Sequence, residues 1–231
     1  MSNSKVDIAY YSDILCVWAY VAQVRLEELK AKFQEQVEIT PYHVTLFGDT
    51  YQRIAIGWKD RGGYQGFSDH ILEVAEGFPH VEINPQVWKT CQPATSGEAH
   101  LFLKAIDLVE KNSGTKYSYS THALVKKIEW DLRLAFFRDA RDIAQMDVLF
   151  DISEQHSIPR KEIQHFLDNG QAMAKFCSEM SMKNSYKLDG SPTYLFNNKR
   201  QKLYGNVGYK ILEANVSELL YNHDHQQASW C

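Results

Sequence analysis

The 231-residue sequence has no long apolar run, no excess of basic residues and no pair of closely spaced cysteines. A membrane-spanning helix needs about 20 apolar residues, so we expect no membrane interaction. The formal net charge of −4 at pH 7 argues against general nucleic-acid binding, which needs a basic face. The N-terminal segment has no basic stretch followed by an apolar one. We therefore expect no secretory leader and a cytoplasmic location.

Cysteines and metal-binding motifs are also scarce. The four cysteines are not closely paired, which argues against a disulfide scaffold and suits a reducing cytoplasm. The sequence contains no H-E-x-x-H, Walker or G-x-G-x-x-G motif. His223-Asp224-His225 resembles a metal clip, but it lies in a polar tail without a further ligand, and we interpret it as a solvated end. We expect no metal and no tightly bound cofactor.

The apolar periodicity predicts an α/β protein whose sheet segments lie at the two ends of the chain. Short apolar or alternating runs predict strands, and apolar residues spaced three and four apart predict helices. The first part is β-α-β, with strand 6–11, helix 17–33 and strand 37–40, where Pro41 indicates a strand end or a sheet edge. The last part is β-β-α, with strands 193–196 and 202–204 and helix 211–220. The segment between these parts is helical, with a glycine-rich loop at residues 57–66.

Cys16 lies where the first predicted strand ends and the first predicted helix begins. Unpaired N–H groups and the helix dipole favour a thiolate there, so the pKa of such a thiol falls below about 8.5. In the usual C-x-x-C motif a second cysteine resolves the mixed disulfide, but here the second position is Ala19. The pattern indicates a nucleophile without an adjacent resolving thiol; the alternative is a buried structural cysteine.

Three segments together resemble the DsbA-like branch of the thioredoxin fold. They are residues 12–20 around Cys16, the segment Gly190-Ser191-Pro192-Thr193-Tyr194, and Gly205-Asn206-Val207-Gly208 before the last helix. The branch includes FrnE-type dithiol oxidoreductases, 2-hydroxychromene-2-carboxylate isomerases and kappa-class glutathione transferases. The resemblance implies a thioredoxin-like sheet domain of residues 1–48 and 171–231, with a large helical insertion of residues 49–170.

The resemblance also implies which residues bind substrate. In this family the proline that matches Pro192 follows a cis peptide bond, which brings Ser191 towards Cys16. The Ser191 backbone would then pair with an extended peptide or with glutathione. Ser191 and Pro192 are therefore the expected glutathione-binding residues, and Trp18, Tyr11 and Ser12 complete the expected substrate site. Alternatively, Trp18 packs between helix and insertion, and Tyr11 lies in the core or at the rim.

Departures from the relatives narrow the expected activity. FrnE-type enzymes carry C-P-W-C where this chain has Cys16-Val17-Trp18-Ala19. Glutathione-using relatives generally have serine at the position of Cys16. They also have a G-S-D-R-like turn, which this chain lacks. We expect a thiol–disulfide oxidoreductase that uses Cys16 alone, with glutathione as the external thiol. The alternatives are a glutathione-dependent isomerase or transferase and a non-catalytic binding module. A homodimer stays open.

Among five further residues, all except Cys177 have two interpretations. Asp13 is a turn or cap residue, or a proton acceptor near the thiol. His100 lies on a helix surface or faces the substrate cleft. Cys91 is a loop thiol, or resolves a disulfide at Cys16. Cys177 shares an apolar helical stripe and is predicted to lie in the core. Cys231 is predicted to be a mobile terminal thiol, with intermolecular pairing as the alternative.

Overall fold

A four-stranded sheet and eight α-helices form the part of the chain that the computed structural model describes, residues 5–114, 116–117 and 122–221. The predicted α/β class is confirmed. In chain order the elements are β1 (Val6–Ser12), α1 (Val17–Phe33), β2 (Val37–His43), α2 (Gly63–Glu76), α3 (Gly97–Asn112), α4 (Ala123–Phe137), α5 (Met146–Glu154), α6 (Arg160–Asp168), α7 (Gln171–Ser185), β3 (Thr193–Phe196), β4 (Gln201–Tyr204) and α8 (Tyr209–Tyr221).

The sheet has the strand order β2-β1-β3-β4. β1 runs parallel to β2 and antiparallel to β3, so that Tyr10 lies opposite Pro41 on one side and Tyr194 on the other. Proline lacks the N–H that an inner strand needs, and β2 is indeed an edge strand. The predicted sheet edge at Pro41 is therefore confirmed, although β2 continues past the proline to His43.

The helices α2 to α7 follow between β2 and β3, as a helical insertion into the sheet part of the chain. Their buried side chains form one core together with the first turns of α1, around the fully buried Trp88 and Phe136. A second core lies between the sheet, α1 and α8. The boundaries 1–48, 49–170 and 171–231 stay a prediction; α7, which they assign to the sheet domain, contacts α3 and α6.

The predicted loop at residues 57–66 is wrong from Gly63 onward, because α2 begins there. A π-helical segment (Tyr51–Ile56) and a short 3-10 helix (Lys59–Arg61) precede it. Gly62, with φ of 90°, makes the left-handed turn before the helix, a conformation that glycine adopts without a steric penalty. The helix is stabilised by burial of Phe67 and Ile71 against the insertion core, a tertiary contact that the glycine pattern does not reveal.

Membrane insertion through a helix is not indicated by the structure. Within the described ranges, no helix combines the length and the apolar character that crossing a bilayer requires.

Candidate active site

Cys16 is the N-cap residue of α1, as the sequence predicts. Its backbone is extended, with φ −84° and ψ 115°, and α1 begins at Val17. The Cys16 N–H donates to the carbonyl of Asp13 at 3.1 Å, and its own carbonyl accepts from Ala19 and Tyr20 at 3.0 and 3.1 Å. The turn after β1 therefore holds the sulfur at the start of the helix.

The segment before β3 meets this sulfur. The Ser191–Pro192 peptide bond is cis, which confirms the expectation drawn from the family resemblance. The Cys16 thiol donates a hydrogen bond to the Ser191 carbonyl, with a sulfur–oxygen distance of 3.3 Å. The Ser191 hydroxyl accepts from the Asp13 N–H at 2.9 Å. Two contacts thus join the turn before α1 to the loop before β3.

The expected lowering of the Cys16 pKa is wrong. Cys16 is 6% exposed, and burial raises the pKa of its thiol above the ordinary value. The Ser191 hydroxyl and the N–H groups of Ala19 and Trp18 oppose this shift, while the nearby charge of Asp13 adds to it. The effect of desolvation on the pKa is larger than that of the helix terminus, because a charged sulfur loses its hydration in this enclosed position. Cys16 is accordingly held as a thiol at neutral pH.

Three cysteines lie within the described ranges, and all three are free thiols. Cys91 lies in a β-bridge with Val87 rather than in an open loop, and burial raises its pKa to about 12. Cys177 is exposed, so the predicted core position is wrong. The structure turns Ala172 and Glu179 of α7 inward instead. Cys231 and the 223–225 segment lie outside the described residues.

The other predicted substrate-binding residues, Tyr11, Ser12 and Trp18, differ in how far they are buried. Tyr11 is 1% exposed and stacks on Tyr42 with ring centroids 4.8 Å apart. Ser12 is fully buried. Trp18 is half-buried and meets Phe78 edge to face, which matches the packing interpretation. The structure therefore brings Ser191 next to Cys16 but encloses Tyr11 and Ser12, whose substrate contacts stay predictions.

Asp13 lies inside the protein as the organiser of the cysteine turn. Its carboxylate accepts from the N–H groups of Leu15 and Phe47 at 2.9 and 2.8 Å, and from the Ser96 hydroxyl at 2.8 Å. Burial raises its pKa, and these hydrogen bonds oppose the shift. The contacts agree with the turn and cap interpretation of Asp13. They join the turn, the segment after β2 and the start of α3.

His100 is fully buried behind the same turn, so the predicted surface position is wrong. Its Nε2 accepts from the Ile14 N–H at 3.0 Å, and its ring lies 5.1 Å from that of His43. Burial lowers the pKa of both histidines, that of His100 well below its usual value. Both rings are therefore neutral, and His100 supports the turn through a neutral acceptor.

Two buried ion pairs next to these histidines were not predicted from the sequence. Arg133 contacts Glu129 at 2.6 Å and donates to the Ser12 hydroxyl at 2.9 Å. Lys104 contacts Glu179 at 2.6 Å. Burial raises the pKa of Glu129, but the charge of Arg133 and the interactions with Arg133 and His43 together outweigh it and hold that pKa well below the ordinary value. The i,i+4 spacing of Glu129 and Arg133 was visible, but such pairs usually lie on a helix surface.

Tyr204 is a further residue that the sequence did not reveal. Its ring covers Gly190, so that a side-chain carbon at position 190 would overlap the ring. Tyr204 is 65% exposed. The glycine that its ring covers directly precedes Ser191 in the chain. The glycine of the Gly190-Ser191-Pro192 segment is therefore explained by a close approach of an aromatic ring.

The described part of the chain holds no cluster of three or more histidine, cysteine, aspartate or glutamate side chains that fits a metal ion. The candidate reactive group is the Cys16 thiol beside the Ser191 carbonyl.

Comparison with a family model matches residues 7–217 to the DSBA-like thioredoxin domain. No curated protein sequence matches.

Solved structures share the fold at low sequence identity. A probable DsbA oxidoreductase from Streptomyces coelicolor has a TM-score of 0.70 and 14% identity, covering 98% of this chain and 94% of its own. Cytosolic disulfide reductase DsbM from Pseudomonas aeruginosa has a TM-score of 0.63 and 16% identity, covering 91% of this chain and 98% of its own. A 2-hydroxychromene-2-carboxylate isomerase has a TM-score of 0.59 and 16% identity, covering 96% of this chain and 100% of its own.

Proposed function

We propose a thiol–disulfide exchange activity for this chain, which belongs to the DsbA-like thioredoxin domain family. The observation that carries the proposal is the 3.3 Å contact between the Cys16 sulfur and the Ser191 carbonyl. A partner that lies in extended form along the Ser191 backbone would present its disulfide to this sulfur. Cys16 lies at the start of α1 and Ser191 in the segment before β3, so two regular elements position this contact.

The proposed exchange has two steps. In the first, Cys16 loses its proton to solvent, and its sulfur attacks one sulfur of the partner disulfide. A mixed disulfide forms, the partner disulfide breaks, and the departing sulfur leaves as a thiolate that takes up a proton. In the second, glutathione loses its proton and its thiolate attacks the partner sulfur of the mixed disulfide. A disulfide between glutathione and the partner forms, the bond to Cys16 breaks, and the Cys16 sulfur takes up a proton. No net oxidation of the chain results.

We place the second thiol outside the chain because the position of the usual resolving cysteine lacks a thiol. Ala19 replaces the usual resolving cysteine and is fully buried. Cys91 is enclosed, with a pKa of about 12, and so supplies little thiolate at neutral pH. These features suit removal of glutathione from modified thiols or disulfide isomerisation. Because the exchange consumes reduced glutathione, the cytoplasm is the proposed compartment.

The test is formation of a glutathione adduct in a variant that lacks the exposed thiol. Cys177→Ser removes the exposed cysteine and Cys231→Ser the terminal one, which leaves Cys16 and the enclosed Cys91. We expect oxidised glutathione to add one glutathionyl group to this double variant, measured by intact-mass spectrometry, and none after further Cys16→Ser substitution. An adduct that persists without Cys16, or none in the double variant, contradicts the proposal.

A glutathione-dependent isomerase or transferase is the second candidate. It is favoured by the raised pKa of Cys16, because a protonated thiol is a hydrogen-bond donor that stabilises the thiolate of a bound glutathione. Cys16→Ser separates the two functions, since a hydroxyl still donates a hydrogen bond but forms no mixed disulfide. Conjugation of an electrophile with glutathione that survives Cys16→Ser supports this candidate. Loss of conjugation with Cys16→Ala alone agrees with the same donor role.

A further inference from the structure

Tyr204 lies at the end of the edge strand β4, next to the segment of residues 190–193. In the sheet it pairs with Thr193, the first residue of β3. The N–H group of the following residue, Gly205, donates to the Pro192 carbonyl at 2.8 Å. The backbone at and after Tyr204 is therefore held against this segment.

The Tyr204 ring reaches over the same segment with its hydroxyl end. Its Cε2, Cζ and Oη atoms are the ones that a side-chain carbon at position 190 would meet. The Thr193 hydroxyl donates to the Gly190 carbonyl at 2.9 Å, so the glycine is itself held in place. Because Gly190 has no side chain, the ring can lie within one residue of Ser191.

Little of the Tyr204 ring is used by the fold itself. The residue is 65% exposed, and it belongs to none of the hydrophobic cores that the described residues form. The preceding Leu203, on the opposite face of the strand, packs against the core between the sheet, α1 and α8. Most of the apolar surface of the Tyr204 ring is therefore open to a partner.

We propose that Tyr204 determines specificity for polypeptide disulfides that carry an aromatic side chain two residues from the reacting cysteine. The inference rests on the proposed thiol exchange, in which the partner lies in extended form along Ser191. In an extended chain, side chains two residues apart face the same side and lie about 7 Å from each other. When the partner cysteine faces Cys16, the side chain two residues away therefore faces the protein surface beside Ser191, where the Tyr204 ring lies.

This contact distinguishes a polypeptide partner from glutathione. Glutathione has one residue on each side of its cysteine, glycine and the γ-glutamyl group, and neither is aromatic. A polypeptide extends further and places an aromatic ring against Tyr204 edge to face or offset-stacked, a contact that adds to the burial of apolar surface. The polypeptide is then the disulfide partner, and glutathione is the external thiol.

The test compares two disulfide-linked dimers of a seven-residue peptide with a central cysteine. One peptide has phenylalanine two positions from the cysteine on both sides, and the other has alanine there. Initial rates of exchange in reduced glutathione are measured by reversed-phase chromatography and corrected for the uncatalysed rate. We expect the 231-residue chain to exchange the phenylalanine dimer about fivefold faster than the alanine dimer.

Substitutions at Tyr204 should change this preference. We expect the ratio of the two rates to fall to about one in Tyr204→Ala and to persist in Tyr204→Phe, which keeps the ring. Tyr221→Ala is the matched control, because Tyr221 is 69% exposed but lies at the other end of α8, away from the turn that follows Tyr204. Circular dichroism and the melting temperature establish that each variant is folded.

A binding measurement tests Tyr204 independently of the exchange. The same peptides with serine in place of cysteine are labelled with fluorescein, and their affinities are measured by fluorescence anisotropy. We expect the phenylalanine peptide to bind about fivefold more tightly than the alanine peptide, and this difference to disappear in Tyr204→Ala.

The outcomes separate the two proposals. Equal exchange rates for the two dimers, or a preference that persists in Tyr204→Ala, overturn the inference and leave the thiol exchange standing. Absence of exchange with both dimers contradicts the proposed function, and the serine peptides then decide the role of Tyr204. Equal affinities of the phenylalanine and alanine peptides overturn that role.

Discussion

The thiol of Cys16 donates its hydrogen bond to the carbonyl of Ser191, across a sulfur–oxygen distance of 3.3 Å. A carbonyl acceptor stabilises the protonated thiol and repels the thiolate, whereas the Ser191 hydroxyl and the N–H groups at the start of α1 act in the opposite direction. The enclosed position decides the balance in favour of the thiol. The reactivity of this sulfur therefore depends on pH and on whether a partner replaces its hydrogen bond to the Ser191 carbonyl.

The first prediction concerns alkylation of Cys16. In the Cys177→Ser, Cys231→Ser background, we expect iodoacetamide to modify Cys16 more slowly at pH 7 than it modifies free glutathione. Because the raised pKa keeps Cys16 protonated, its rate should increase about tenfold per pH unit and continue to rise beyond pH ~8.5, where an ordinary thiol levels off. Peptide mapping of the modified residue measures this rate. A rate that is constant above pH 7 would show a lowered pKa instead.

The second prediction concerns Asp13. Asp13→Ala removes the acceptor for two backbone N–H groups and the Ser96 hydroxyl, all in the protein interior. Since unpaired buried donors cost roughly 1–3 kcal/mol each, we expect the free energy of unfolding to fall by about 3 kcal/mol. Urea denaturation measures the change. Asp49→Ala is the matched control.

Asp49 also accepts from a backbone N–H, that of Gln52 at 2.9 Å, but at an exposed position. Water replaces that acceptor, so a loss of about 0.5 kcal/mol is expected there. Equal losses at the two aspartates would show that burial of the Asp13 carboxylate has no special weight.

The third prediction concerns acid stability through His100. Its folded-state pKa lies well below that of an unfolded histidine, about 6.5, so the unfolded chain binds a proton first as the pH falls. The unfolding free energy should therefore decrease below about pH 6.5, by up to about 1.4 kcal/mol per pH unit for this group. His43, whose pKa is also lowered, acts in the same direction.

His100→Gln isolates the contribution of His100. The glutamine carbonyl replaces Nε2 as the acceptor for the Ile14 N–H but does not titrate in this range. We expect a shallower decline of the unfolding free energy between pH 6.5 and pH 5, measured by urea denaturation at each pH. The prediction fails if wild type and variant have parallel pH profiles. His165→Gln, at an exposed helix position, serves as the control.

The fourth prediction concerns the contact between Gly190 and Tyr204. Gly190→Ala places a methyl group where the Tyr204 ring lies, and we expect a loss of about 1–2 kcal/mol in unfolding free energy. The exposed ring can move away, which limits the loss. Tyr204→Ala should restore most of the stability of Gly190→Ala in a double-mutant cycle.

Gly208→Ala is the control for that cycle, because an added methyl group there has no atom within 4 Å. Its effect should stay within about 0.5 kcal/mol. A cycle in which the two substitutions at positions 190 and 204 are simply additive would contradict the proposed steric contact.

Local patterns were sufficient to predict the elements that carry the candidate site. The alternation and apolar runs predicted β1 and β3, and the spacing of apolar residues predicted α1, so that Cys16 was correctly placed at a helix start. Pro41 correctly indicated a sheet edge, because a missing N–H is a property of the residue itself. The cis bond before Pro192 followed from the family resemblance rather than from any periodicity.

Besides the lowered pKa of Cys16, three predictions failed because they depended on neighbours that are distant in the chain. α2 begins within a glycine-rich segment because Phe67 and Ile71 pack against the insertion core. His100 is buried because the turn after β1 packs onto α3. Cys177 is exposed because α7 turns a different set of side chains inward.

The amino-acid sequence by itself determined the strands and helices at the two ends of the chain and the location of one sulfur at a strand–helix junction, since hydrogen-bonding geometry and side-chain periodicity are local. Only the tertiary structure decided the ionisation of that sulfur, the burial of the carboxylate and histidine behind it, and the start of α2 within a glycine-rich segment. Desolvation and charge pairing depend on which segments meet in space, and residues far apart in the chain set both.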